Sequence, residues 1–365
     1  MNHQTVQIVC ARCGQPAGPL DWRCATCGGP LFFADLPVFK PRFIRHEDWS
    51  LWRYADVLPA ARQVSLGEGG TPLTPVRLPD GVVWMKLEYL NPTGSYKDRG
   101  TVTLVNHLLA LGVGDAVEDS SGNAGASLAA YAGASGIRAR IFVPESAPAG
   151  KKRLIALNAE LVEVDGPRSA PTAACHEAAR TSVYASHAWS PFFLAGQMTC
   201  AWEIWEQMGG RAPDAILCPV GHGGLFLGLA LGFERLRDAG LIERLPRLYA
   251  VQSAACDPVV RAWEAGLDEP LPAPEGHTVA DGIVVNQPVR GREILAAIRE
   301  SGGLALRVDD AATLAAQALL VRHGLLAEPT SAVPVAALPT ARAHAGLGAT
   351  IVVPLTGSGL KTLTH

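Results

Sequence analysis

Apolar and polar positions along this chain fall into blocks that switch repeatedly between two periods. Residues 82–90 have the β-branched and aromatic content of a buried strand. Directly after a short polar turn, Val102, Leu104, Val105, Leu108 and Leu109 recur at helical spacing, and Gly112 ends the run. The same rhythm returns downstream. Strands are predicted over 116–120, 137–143, 161–164, 215–220 and 350–355. Helices are predicted from the turn after 120 to about 133, over 149–158 and 172–181, and from 225 to about 237. Strands alternating with helices predict an α/β fold with mostly parallel sheets. Residues 36–60, rich in prolines and aromatics, read as an entry segment that wraps the body.

Composition narrows the class. Of 365 residues, 18% are charged and the net charge is −3, so no basic excess suggests nucleic acid and no acidic tail suggests disorder. The most apolar run, 225–233, is far shorter than the roughly 20 residues a membrane helix needs. The N-terminus lacks a charged region followed by an apolar stretch. These features predict a soluble, cytoplasmic protein with neither a nucleic-acid nor a membrane partner.

Eight cysteines are present, four of them early. Cys10 and Cys13 form one C-x-x-C, Cys24 and Cys27 another, with ten residues between the pairs. Each pair can turn two thiolates to one point, and two pairs make a tetrahedral four-sulfur site. Gly14 and Gly28-Gly29 follow the knuckles, where tight turns are needed. Residues 1–35 are therefore expected to form a small ribbon around structural zinc. A redox pair, or a site that has lost its metal, are the alternatives. Cys175, Cys200, Cys218 and Cys256 lie in apolar or helical contexts and read as small core residues.

Three turns carry candidate chemistry. Asn91-Pro92-Thr93-Gly94-Ser95-Tyr96-Lys97-Asp98-Arg99-Gly100 joins the first strand to the first helix and puts Lys97 at or near a helix N-terminus. There the helix dipole disfavours the ammonium and favours a neutral, nucleophilic amine. A surface lysine followed by an Asp98/Arg99 ion pair is the plainer alternative. Ser120-Ser121-Gly122-Asn123-Ala124-Gly125 and Gly221-His222-Gly223-Gly224-Leu225 each follow a strand and open a helix. Both can aim backbone N–H groups at an anion. The last strand delivers Thr356-Gly357-Ser358-Gly359-Leu360-Lys361.

The Lys97 segment closely resembles the Schiff-base motif of threonine synthases and their relatives, pyridoxal-phosphate enzymes of fold type II, like tryptophan synthase β subunits and threonine dehydratases. Gly67-Glu68-Gly69-Gly70-Thr71-Pro72-Leu73, the 120–127 loop, the glycine turn, Glu328-Pro329-Thr330-Ser331-Ala332 and the T-G-x-G-L-K ending match further phrases in the family's order. The resemblance covers essentially the whole chain. It implies two three-layer αβα domains: a large cofactor domain from 36–97 and 196–365, and a smaller mobile domain, 98–195. It implies that Lys97 holds pyridoxal 5′-phosphate as an imine and moves protons. The resemblance also implies that Ser120, Ser121, Gly122, Asn123 and Ala124 clamp the substrate carboxylate, with Asn123 beside the ring's phenolic oxygen. Gly221, His222, Gly223, Gly224 and Leu225 would cup the phosphate, and Thr356 would meet the ring nitrogen. A similar cysteine-rich extension is frequent in archaeal and plant-type threonine synthases, and a homodimer is usual in similar enzymes.

The chain departs from threonine synthase in places. The 221–225 loop and Thr278-Val279-Ala280-Asp281-Gly282-Ile283 look more like dehydratases and serine racemases. Phe193 stands where an arginine is expected before L-x-G-Q, and phenylalanine cannot pair with a phosphate. His187, Trp189, Phe192 and Phe193 suggest a less anionic, more aromatic substrate pocket. The implied reaction is elimination or replacement at Cβ or Cγ of a small amino acid. Serine/threonine dehydratase or ammonia-lyase chemistry and β-replacement are the alternatives. A non-enzymatic reading, a ribbon-docking protein with a retired fold, is opposed by the intact set of Lys97, Asn123, the glycine turn and Thr356.

Overall fold

A computed structural model of the chain describes residues 6–147, 149–166, 169–273 and 276–362. By contact density it divides into two compact units. One holds the residues through Gly69 together with Asn91–Gly196; the other holds Gly70–Leu90 and Gln197–Leu363. Residues 36–69 and 91–97 thus group with the first unit, whereas the sequence reading attached them to the larger domain.

The first unit carries two sheets. β1 (Ile8–Cys10) and β2 (Leu31–Phe33) pair antiparallel. Four parallel strands form the second sheet in the order β7-β6-β5-β8. They are β5 (Asp115–Glu118), β6 (Arg138–Pro144), β7 (Glu160–Val164) and β8 (Val183–Tyr184). Helices α1 (Lys97–Ala110), α2 (Asn123–Ser135), α3 (Ala149–Ala156) and α4 (Ala170–Ala178) connect and cover it. One sheet face buries Val117, Phe142 and Tyr184 with Cys175 of α4, and Trp22 and Trp189 pack against that cluster.

The expected wrap, 36–60, contains two 3-10 segments, Pro41–Phe43 and Leu51–Val57, whose Leu51, Trp52, Tyr54 and Val57 are buried. It is anchored on Glu68, which is fully buried. Glu68 accepts hydrogen bonds from Trp52 Nε1 (2.9 Å), Ser65 Oγ (2.9 Å), the Leu66 amide (2.9 Å) and Tyr131 Oη (2.7 Å). The glutamate of the G-E-G phrase is thus the acceptor that ties the entry segment to α2.

Helix α5 (Pro191–Gln207) begins in the first unit, and there Phe193 lies on the glycine of α1. A Cβ at Gly100 would stand 2.5 Å from Phe193 Cγ. Gly100→Ala should therefore destabilise by about 1–3 kcal/mol through overpacking, more than the roughly 1 kcal/mol of helix propensity it gains. Urea unfolding should show a lower midpoint, and the Gly100→Ala/Phe193→Ala double variant should be less than additive.

The second unit is built on a six-stranded sheet in the order β11-β10-β9-β12-β4-β3. Its strands are β3 (Leu73–Leu78), β4 (Gly81–Lys86), β9 (Ala215–Pro219), β10 (Arg247–Ser253), β11 (Ala305–Val308) and β12 (Ile351–Pro354). All pairs are parallel except β3–β4, and Pro75 sits on that edge strand, where its missing N–H is tolerated. β9 and β12 are near-continuous apolar runs because both of their faces are covered. Leu217, Tyr249, Val251, Ile351 and Val353 share a core with Ala332, Val333 and Leu338, from α10 (Pro329–Ala336) and α11 (Leu338–Ala345). The alternate residues Ile216, Cys218, Leu248, Ala250 and Val352 are buried on the opposite face. Helices α6 (Gly224–Asp238) and α8 (Gly291–Ser301) pack against β10, and α6 also meets β9. Cys175, Cys200, Cys218 and Cys256 are all buried, as small core residues should be. Among the described residues, no helix is long and apolar enough to cross a membrane.

Candidate active site

In the first unit, Lys97 is the first residue of α1, as the turn chemistry requires. Its Nζ lies 5.0 Å from the Tyr96 ring centroid and 5.6 Å from that of Phe193. The next residue, Asp98, is fully buried and holds the turn together. It accepts from the Thr93 amide (2.6 Å), Thr93 Oγ1 (2.5 Å) and Ser127 Oγ of α2 (2.6 Å). Upstream, Asn91 Oδ1 accepts from the Gly69 amide at 2.9 Å. Asp98 is thus an internal staple rather than the surface partner of Arg99, and Arg99 is itself fully buried.

Ser120, Ser121 and Gly122 form the half-buried turn between β5 and α2, and Asn123 and Ala124 open the helix. The turn is tight. A Cβ at Gly125 would stand 2.0 Å from the Ser120 carbonyl oxygen. The first amides of α2 have no acceptor within their own helix, so the turn presents donors.

His187 was anticipated from the sequence, but its partner was not. Glu118, the last residue of β5, is 1% exposed. Its Oε1 accepts from the His187 amide at 3.2 Å and lies 2.5 Å from His187 Nδ1. Burial pushes the Glu118 carboxyl up to about 7, against the His187 hydrogen bond and the Lys97 charge, which pull it down. Burial, and then the Lys97 charge, hold the His187 imidazole well below its ordinary value. The His187 and Phe193 ring centroids are 5.9 Å apart. Lys97, Phe193, His187 and Glu118 therefore form one continuous group.

Trp189 and Phe192 are turned elsewhere. Trp22 of the N-terminal ribbon packs on His176, Tyr184 and Trp189 at 4.9–5.2 Å between centroids. Phe192 stacks on His107 at 3.5 Å and meets Phe33 edge-on at 4.9 Å. Of the four residues expected to line an aromatic pocket, His187 and Phe193 lie beside each other, while Trp189 and Phe192 pack on Trp22, Phe33 and His107. Consecutive helical residues point about 100° apart, and here the Phe192 ring faces His107 and Phe33 while the Phe193 ring lies toward Lys97.

The four ribbon cysteines converge. Their Sγ atoms all lie within 4.8 Å of one another, with Cys10–Cys27 at 3.4 Å and Cys13 at 3.5 Å from both Cys24 and Cys27. Gly14 and Gly28 take positive φ values of 71° and 69°, and their amides bond back to the Cys10 and Cys24 carbonyls. A tetrahedral zinc with bonds of about 2.3 Å needs sulfurs about 3.8 Å apart, so the donor set fits.

In the second unit, Gly221-His222-Gly223 links β9 to α6. Gly223 caps the helix with φ 80°, and a Cβ there would stand 2.3 Å from Ile294 Cδ1. Only glycine suits both the torsion and the space. Gly224 and Leu225 open the helix, and its first amides have no intrahelical acceptor. β12 lies next to β9 in parallel, so Thr356 emerges at the same sheet edge as the glycine turn. Thr356 is 2% exposed, and its Oγ1 is 2.9 Å from Ser331 Oγ. Ser331 Oγ also accepts from the Gly357 amide at 2.9 Å. The carboxyl ends of neighbouring parallel strands are where α/β sheets receive ligands. A backbone-lined helix start beside a buried hydroxyl fits a phosphorylated heteroaromatic cofactor.

Comparison with known proteins agrees with this chemistry. Residues 64–357 match the family described as "Pyridoxal-phosphate dependent enzyme". Threonine synthase of Methanosarcina acetivorans is 33% identical over 91% of this chain and 85% of its own length. The Methanocaldococcus jannaschii threonine synthase is 33% identical over 90% and 86%. Among solved structures, a threonine deaminase from T.th. aligns with a TM-score of 0.68 at 31% identity, covering 79% of this chain and 92% of that one. Maize serine racemase, at 23% identity and a TM-score of 0.69, shares the fold over 79% of this chain and 88% of its own. The chain belongs to the pyridoxal-phosphate dependent enzymes and is, within them, a relative of the threonine synthases.

Proposed function

We propose that the protein is a lyase or synthase that eliminates or replaces a substituent at Cβ or Cγ of a small amino acid, with Lys97 as its covalent and proton-transferring residue. The observation that carries this reading is the placement of Lys97 at the head of α1, with Nζ 5.6 Å from the Phe193 ring centroid, in a chain of this family. When bound, pyridoxal phosphate supplies an electron sink for the pair left at Cα when a proton departs. Lys97 Nζ would hold the cofactor and, once freed by the incoming amino group, would take the α-proton. The amides of Gly221–Leu225 and the dipole of α6 would hold the phosphate. Thr356 Oγ1 would offer the ring nitrogen a neutral partner, which does not force that nitrogen to stay protonated. Asn123 would hold the phenolic oxygen, and the Ser120–Ala124 turn would bind the substrate carboxylate.

Phe193 stands where a phosphate-pairing arginine is expected, and His187 is held neutral, which favours substrates with an uncharged substituent over O-phosphohomoserine. The test is a screen of serine, threonine, diaminopropionate, O-acetylserine and O-phosphohomoserine for changes in the visible absorbance of the holoprotein. Uncharged substrates should perturb the spectrum and turn over, and a strong preference for O-phosphohomoserine would overturn the substrate assignment.

Structural zinc held by Cys10, Cys13, Cys24 and Cys27 completes the proposal. One zinc per chain is expected by elemental analysis of the purified protein, falling to none in Cys10→Ser/Cys24→Ser. A wild type free of metal would remove the zinc assignment.

A further inference from the structure

Glu118 is a charged residue closing a strand whose other inner positions, Ala116 and Val117, are apolar, and such burial requires compensation. Its hydrogen-bonding partner among the described residues is His187, 69 positions later in the chain, and the Lys97 charge also favours its ionised form. Glu118 Oε1 accepts the His187 backbone amide, a group that can only donate. The same oxygen lies 2.5 Å from Nδ1. An oxygen already accepting one N–H is poorly placed to carry a proton of its own toward Nδ1. The ring nitrogen is therefore the donor, and Nε2 is left as a lone-pair nitrogen.

We propose that Glu118 is a positioning residue that fixes His187 as the neutral Nδ1–H tautomer, so that the pair presents the substrate's side-chain substituent with an acceptor rather than a donor or a cation. The proposal deepens the function proposed above and rests on it for the identity of the substrate. Its consequence is selectivity. A hydroxyl or amine can donate to Nε2, whereas a phosphate ester requires donors, and neither Nε2 nor the Phe193 ring provides one.

Burial first, and the Lys97 charge after it, favour the neutral imidazole. Lys97 on α1 opposes its protonation. Asp119, directly after β5, favours protonation, but its carboxylate is already engaged by Thr172 Oγ1 of α4 at 2.6 Å and Tyr184 Oη of β8 at 2.5 Å. His176 and Cys175 of α4 are near Asp119, His176 is itself held below its ordinary value by burial, and Cys175 is held protonated by burial. Arg140 of β6 acts on Cys175. Glu118 on its strand end is thus the residue that decides which ring nitrogen carries the proton.

The test is nitrogen NMR of histidine-labelled holoprotein between pH 6 and 8, with Glu118→Gln and His187→Asn alongside. His187→Asn identifies the signal. Wild type should show one neutral tautomer with the proton on Nδ1. Glu118→Gln, a weaker acceptor of similar shape, should show a mixture of tautomers. In parallel, the kcat/KM ratio of hydroxyl-bearing over phosphate-bearing amino acids should fall at least tenfold in Glu118→Gln. A wild-type proton on Nε2, a charged ring at pH 7, or an unchanged substrate ratio would each overturn the proposal. If no amino acid perturbs the bound cofactor, the enzymatic reading fails alone, and the tautomer measurement still decides the role of Glu118.

Discussion

Lys97→Ala is expected to lower turnover by at least about 10⁴-fold, because one substitution removes both the covalent anchor and the base that takes the α-proton. The fold should survive. The turn is held by Asp98, through Thr93 and Ser127, and by the Asn91–Gly69 bond, none of which uses the lysine side chain. Lys97 begins its helix rather than occupying its middle, so replacement by alanine costs little in helix propensity. Borohydride treatment should attach the cofactor to one lysine in the wild type and to none in Lys97→Ala, as read by peptide mass. Circular dichroism should be unchanged. Retained turnover in Lys97→Ala, or stable attachment at another lysine, would remove the mechanism.

Much of this arrangement was legible because its signals are local. The β4-to-α1 turn, the Ser120 turn and the glycine turn before α6 each combine a change of period with small residues, and each falls where that pattern predicts. Strand ends moved by one or a few residues: the strand expected over 82–90 stops at Lys86, and Glu88–Leu90 is a 3-10 turn. What escaped was non-local. Placing β12 between β9 and β4 joins segments more than a hundred residues apart, and no periodicity encodes that. The two-residue β8 is too short to show a pattern. Glu118 had a readable signal, an acid directly after the apolar pair Ala116 and Val117, but its partner is distant in sequence. Trp189 and Phe192 were grouped with Phe193 because they are neighbours in the chain. Their apolar surface is instead taken up by Trp22, Phe33 and His107, where the ribbon docks on its own unit.

Glu203→Ala should cost about 3–5 kcal/mol, because it breaks a buried ion pair of the second unit. Lys86 ends β4 with its side chain wholly buried. Its ammonium donates to the Thr71 carbonyl (2.6 Å), Glu203 Oε2 (2.8 Å) and Gln207 Oε1 (2.9 Å), so all three of its protons are used. Glu203 Oε1 accepts from the Gly70 amide at 2.9 Å. Removing the carboxylate leaves a desolvated cation with two neutral acceptors, and it also orphans the Gly70 amide. The pair itself has a different worth from the penalty for breaking it, because two charges had to leave water to form it. Lys86→Met/Glu203→Leu should therefore recover most of the loss, which urea unfolding of the three variants would measure. A Glu203→Ala cost below about 1 kcal/mol would mean that water or another group neutralises Lys86. The consequence reaches the sheet edge proposed to receive the cofactor. Lys86 lies opposite Pro354, two residues before Thr356, and its carbonyl accepts the Leu355 amide at 2.8 Å. An uncompensated ammonium there would loosen the strand pair that presents Thr356, so the Glu203 variant should lose cofactor affinity together with stability, and the double variant should regain both.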